Sequence, residues 1–122
     1  MEIIMLFEDW IEKQLLKPFP ESVIAINFNL YETDDENLFD AQIVGCEHYD
    51  ADDDDWACNT VFSSGEDLFQ FRSDDWESAL SDFKNILCNY LHTHPKTKLN
   101  KFEHISFGFV DGDLIPIKPE EF

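Results

Sequence analysis

Near the start of the chain, apolar residues recur at spacings of three and four. Ile4, Phe7, Ile11 and Leu15 fall in register with Trp10 beside them, while Glu8, Glu12 and Lys13 take other faces. That period predicts an amphipathic helix from Glu2 to roughly Lys17, stopped by Pro18 and Pro20. From Val23 to Tyr31 the period changes to two. Ile24, Ile26, Phe28 and Leu30 share one face and Asn27 and Asn29 the other, the pattern of a half-buried strand. The polar stretch TDDEN, Thr33 to Asn37, reads as a turn and Leu38 to Glu47 as a second strand, so the two pair as an antiparallel hairpin.

Further along, Cys58 to Phe62 and Asp67 to Phe71 read as short strands separated by the SSG turn. Asp74 opens a second helix over residues 74–93. Asp74 and Glu77 have capping-box spacing, and Trp76, Leu80, Phe83, Leu87 and Tyr90 or Leu91 mark its apolar stripe. Pro95 ends it, and Lys96, Lys98 and Lys101 follow where positive charge complements the helix dipole. Ile105, Phe107 and Phe109 then alternate with small residues, Asp111-Gly112 supplies a turn, and Leu114, Ile115 and Ile117 return as a last strand. Pro116 places that strand at an edge. The expected fold is a single α+β domain over residues 1–122: an antiparallel sheet of about five to six strands with two main helices, the N-terminal one and residues 74–93, packed on one face. The βαβ alternation of nucleotide-binding folds is absent from this pattern.

Composition adds two constraints. Hydrophobic residues make up 43% and aromatics 15% of the 122 residues, enough apolar surface for a core and far from the composition of a disordered acidic chain. The second constraint is charge: 27 acidic against 8 basic residues give a formal net charge of -19. Solubility needs only roughly 2–8 net charges in a small domain. A surface this negative repels nucleic acid and anionic lipid, so a basic protein partner is expected instead. The apolar opening lacks a basic leader and is broken by Glu8 and Asp9. No run approaches the roughly 20 apolar residues of a membrane span. Three cysteines, Cys46, Cys58 and Cys88, have no framework spacing and fit reduced thiols. A cytoplasmic location is the expectation.

The acids are unevenly placed. No Lys or Arg occurs between Lys17 and Arg72. Within that gap, Asp34, Asp35 and Glu36 lie in the hairpin turn, and Glu47, Asp50, Asp52, Asp53, Asp54 and Asp55 follow the second strand. Tyr49 and Trp56 interleave with the second group, and aromatic anchors inside a charged rim are the composition of binding hot spots. The expected partner-binding residues are therefore Asp34, Asp35, Glu36, Glu47, Tyr49, Asp50, Asp52 to Asp55 and Trp56, with Trp56 either the main anchor or folded back onto the core.

Other chemistries fit less well. Counted from Asp50, a calcium loop would need glycine at Asp55 and a bidentate Glu at Val61. Cys46 with His48, and Cys88 with His92 and His94, are permissible zinc ligands without a C-x-x-C pair. No nucleophile elbow, phosphate loop or H-E-x-x-H is present. The expectation is a binding protein, not an enzyme, with no metal and no cofactor.

In size, acidity and compact α+β pattern the chain resembles immunity proteins of contact-dependent inhibition and polymorphic-toxin systems. FGFVDGDLIPI, Phe107 to Ile117, is its most motif-like segment. The resemblance implies stoichiometric neutralisation of a cognate, basic nuclease-type toxin, the C-terminal domain encoded by the adjacent upstream gene. The competing readings are a DNA-mimic inhibitor of a nucleic-acid-binding protein, and a small enzyme or ligand-binding domain with incidental acidity. Under the expected mechanism, reversing the charge of Asp52 to Asp55 slows association and flattens its salt dependence.

Overall fold

A computed structural model describes residues 2–50, 52–53, 56–57, 60–110 and 112–118. Helix α1 covers Glu2–Leu15. The strands are β1 (Ala25–Glu32), β2 (Leu38–Cys46), β3 (Thr60–Ser63) and β4 (Phe69–Arg72), then, after helix α2 (Trp76–Thr93), β5 (His104–Phe109) and β6 (Ile115–Lys118). Both helices and the expected hairpin are present within a few residues of their anticipated limits. Each of the two short middle strands starts two residues later and ends one residue later than anticipated.

The sheet order is β3-β2-β1-β5-β6, with β4 also pairing β2. β3 takes the second half of β2, from Val44 to Cys46, and β4 the first half, from Leu38 to Ala41. One neighbour differs from the expected antiparallel arrangement: β5 runs parallel to β1, with Ile26 opposite Ile105 and Leu30 opposite Phe109. The cause is α2. Its 18 residues span about 27 Å, carrying the chain from the end of β4 back to the start of β1 before β5 begins.

Both helices lie on one face, where the period-two residues of the strands meet them. Phe7 of α1 is the hub of that core. Its ring sits edge-on at 5.3 Å from Phe69, 5.9 Å from Phe83 and 5.8 Å from Tyr90, the tilted geometry aromatic pairs prefer. Phe83 of α2 continues the contact to Phe28 and Phe107. The buried stripe of α1 also contains Gln14. Its Nε2 donates to Asp67 Oδ2 at 2.7 Å, beside a Trp10 Nε1 bond to the Asp67 carbonyl at 2.9 Å. The β3–β4 loop is thus tied to α1. The carboxyl pKa of Asp67 is lowered, chiefly by the Gln14 hydrogen bond and then by Lys13, whose Nζ lies 3.0 Å away.

The helix-free face differs from its expected solvated character. Asn27 is 0% exposed. It accepts from Ser106 Oγ at 2.8 Å and donates to Asn29 Oδ1 at 2.6 Å, and Asn29 donates to Gln42 Oε1 at 3.3 Å. Tyr31 donates to the same Gln42 oxygen, and Gln42 Nε2 to the Gly65 carbonyl. This polar ladder crosses three strands and satisfies groups that burial would otherwise make costly. Beside it sits a small second core of Ala25, Val44, Cys46 and Trp56, with Tyr49, Ala57 and Leu114 against it.

Caps hold the helix ends. Asp75, not Asp74, caps α2, its side chain accepting from the Ser78 amide at 2.8 Å. Lys98 serves the other helix rather than its own: its Nζ reaches the Leu15 and Lys17 carbonyls at 3.4 Å each, and lies 4.1 Å from the Phe19 ring centre. His94, beyond the end of α2, closes onto α1 through Glu8 at 3.1 Å. No helix among the described residues is long and apolar enough to cross a membrane.

Candidate partner-binding site

The residues expected to bind a partner fall at opposite ends of the sheet. Asp34, Asp35 and Glu36 occupy the β1–β2 turn, whereas Glu47, Tyr49, Asp50, Asp52, Asp53 and Trp56 follow the end of β2. The eight residues of β1 separate the groups by about 26 Å. Asp54 and Asp55 lie outside the described residues.

At the second end the aromatics are spent on structure. Trp56 is only 5% exposed, packed with Ala25, Val44 and Cys46. Its expected role as an exposed anchor does not match this position. Tyr49 stacks on His104 at 3.6 Å between ring centres and 2° between planes, and lies 5.1 Å from Trp56. Glu47, Asp50, Asp52 and Asp53 are exposed around this lid, and the Asp50 side chain accepts from the Asp52 amide at 2.9 Å. Cys46, which the sequence offered beside His48 as a zinc ligand, is buried under Trp56 while His48 is exposed. On α2, burial pushes the Cys88 thiol pKa up, against a modest opposing effect of Lys84, which disfavours a reactive thiolate.

The first end is more concentrated than the sequence suggested. β5 runs parallel to β1, so the β5–β6 turn arrives here: the Val110 amide bonds the Leu30 carbonyl at 3.2 Å. The start of α2 arrives as well, through a Ser73 amide bond to the Asn37 carbonyl at 3.0 Å. Three chain segments therefore bring their acids together. To Asp34, Asp35 and Glu36 are added Glu32 from β1, Asp74 and Asp75 just ahead of α2, Glu77 from its first turn, and Asp113 from the last turn, all exposed. Arg72 is the one basic side chain at this end among the described residues, paired with Asp35 at 3.2 Å. The partial positive charge at the start of α2 offsets some of the repulsion among its acids.

At this acidic end lies a cavity of about 520 Å³ lined by Glu32, Trp76, Leu80, Phe109, Gly112, Asp113 and Ile115. Trp76 is 53% exposed, and Val110 on the adjacent turn is 56% exposed. A half-exposed indole over an apolar floor, rimmed by carboxylates, is the arrangement expected of a binding anchor. Sequence periodicity assigned Trp76 to the buried stripe because it falls in phase with Leu80 and Phe83. Burial along α2 begins only at Ala79, so the first turn overhangs the core. The available signal was the local sequence DDWE, an indole set among three acids.

Gly108 shapes this end. A Cβ there would lie 2.5 Å from the Asp113 carbonyl oxygen, because the turn after β5 folds back across the strand. Only a residue without a side chain lets Asp113 and Leu114 take these positions.

No family model matches the chain, and no curated protein or solved structure shows significant similarity to it.

Proposed function

We propose that this protein is a stoichiometric binding inhibitor of the immunity type, which holds and neutralises a cognate, basic nuclease-type toxin domain through its acidic end. The observation that carries the reading is the convergence of three segments' acids around the half-exposed Trp76 and its apolar cavity. Each part has a physical task. Uncompensated negative charge attracts a basic surface and accelerates encounter, by roughly 10–1000-fold in favourable cases. The indole and the apolar floor then supply short-range contact that sets the lifetime of the complex.

The same feature favours this reading over DNA mimicry. A phosphate mimic needs spaced carboxylates and no apolar anchor, whereas here an exposed Trp sits at the centre of the charge. Binding is tested by calorimetry against the C-terminal domain encoded by the adjacent upstream gene, at low and high salt. One-to-one binding that weakens with salt supports the proposal. No binding at either salt overturns it, and inhibition of several unrelated DNA-binding proteins would establish mimicry instead.

A further inference from the structure

We propose that the Trp76 cavity is a receptor for a single arginine side chain, the residue by which a basic partner anchors to the acidic end. This rests on the reading of that end as a partner surface, and specifies what enters it. The cavity joins two chemistries that few side chains match together. Its floor is apolar, from Leu80, Phe109 and Ile115, and its rim carries the carboxylates of Glu32 and Asp113.

A neutral apolar occupant would leave those carboxylates facing an apolar group, and an acidic one would set like charges against each other. A lysine would satisfy the charge but bring a compact, strongly hydrated ammonium against an indole. Arginine meets every wall. Its methylene stem covers apolar surface, and its weakly hydrated planar guanidinium stacks on an aromatic face while donating in a fork to carboxylates. Trp76 has free surface for that stacking, being 53% exposed. Charge complementarity points the same way, because the one described cation at this end, Arg72, is engaged with Asp35 and does not line the cavity. The cavity's negative rim is therefore left for a cation from outside.

The test uses the whole protein and needs no partner. Acetyl-arginine methylamide, acetyl-lysine methylamide and acetyl-citrulline methylamide are titrated separately, and the indole N–H resonance of Trp76 is followed by NMR. Citrulline keeps the shape of arginine and removes its charge; lysine keeps the charge and removes the plane. The expected result is saturable movement of the Trp76 signal with arginine, at an affinity about tenfold above either analogue. The Glu32→Gln/Asp113→Asn double variant should lower the arginine affinity severalfold while its melting temperature stays at the wild-type value. Equal binding of lysine and arginine, equal binding of citrulline, or shifts spread over all the acidic loops would overturn the proposal. So would arginine binding that is unchanged in the double variant. The two levels fail separately. Arginine binding without any affinity for the upstream domain leaves the cavity assigned and removes the immunity reading. Tight binding of that domain that survives Trp76→Ala leaves immunity standing and removes the arginine receptor.

Discussion

Exchanging Trp56 and Trp76 separately for alanine separates a structural role from a binding role. Trp56 is 5% exposed in the second core. Removing a buried aromatic side chain costs about 3–5 kcal/mol from lost transfer and the cavity left behind. The second core is small and partly open at Tyr49, Ala57 and Leu114, so it can partly collapse and the lower end, about 3 kcal/mol, applies. For a chain of this length that lowers the melting temperature by about 10–15 °C. Trp76 is 53% exposed. Only about half of its surface is in protein contact and no enclosed cavity forms, so about 1–2 kcal/mol is expected for Trp76→Ala. Guanidinium unfolding of both variants, followed by circular dichroism, measures the difference. Acrylamide quenching adds an independent reading: the quenchable fraction of wild-type fluorescence should vanish in Trp76→Ala and persist in Trp56→Ala. A Trp56→Ala loss below about 1 kcal/mol, or a larger loss for Trp76→Ala, would refute the assignment of roles.

Other substitutions follow from single contacts. Gly108→Ala drives a Cβ against the Asp113 carbonyl and should cost about 1–3 kcal/mol in thermal unfolding, with weaker binding of the proposed partner because the turn carrying Asp113 must move. Asp75→Ala removes the α2 cap and should cost about 1 kcal/mol in chemical denaturation, whereas Asp74→Ala should cost less than half of that. Asp67 has a pKa lowered below 3.8 by Gln14 and Lys13. Its contribution is therefore present above pH 3.8 and lost as the pH falls through the depressed value. Because this carboxylate is about a third exposed, solvent screening keeps that contribution small. Denaturant midpoints measured across the acid range should fall less steeply for Asp67→Asn than for the wild type.

Sequence periodicity located both helices and the first hairpin because their apolar spacing is set locally. The parallel β1–β5 pair was not legible, since it depends on where an 18-residue helix returns the chain. Burial of Asn27 was hidden for a similar reason. A polar residue on the alternate face of a strand reads as solvated unless its partners, here Ser106 and Asn29, are known. The acids of the turn, Asp34, Asp35 and Glu36, were identified from local charge alone. Glu32 is their neighbour in sequence, whereas Asp74, Asp75, Glu77 and Asp113 joined them only through tertiary folding, from segments distant in sequence. Trp56 and Trp76 show the limit most clearly. Charged neighbours left the first open between an exposed anchor and a core residue, and helical phase suggested burial for the second. The second core decides the first for burial, and the overhang of α2 reverses the second.

Association kinetics decide which end of the molecule meets a partner. The rate constant for binding the proposed partner, a basic domain encoded upstream, is measured by stopped flow at low and high ionic strength. The wild type is compared with a triple reversal at the acidic end (Asp34→Lys, Glu36→Lys, Asp74→Lys) and one of equal charge at the other end (Glu47→Lys, Asp52→Lys, Asp53→Lys). Binding through the acidic end predicts that the first variant associates at least about tenfold more slowly at low salt and loses most of its salt dependence. The second should stay within about threefold of the wild type, because its charges lie beyond the Debye length of about 8–10 Å from the contact. The opposite ranking, with the Glu47 variant slowed and the Asp34 variant unaffected, would place the interface around the Tyr49–Trp56 lid and contradict the assignment of the acidic end.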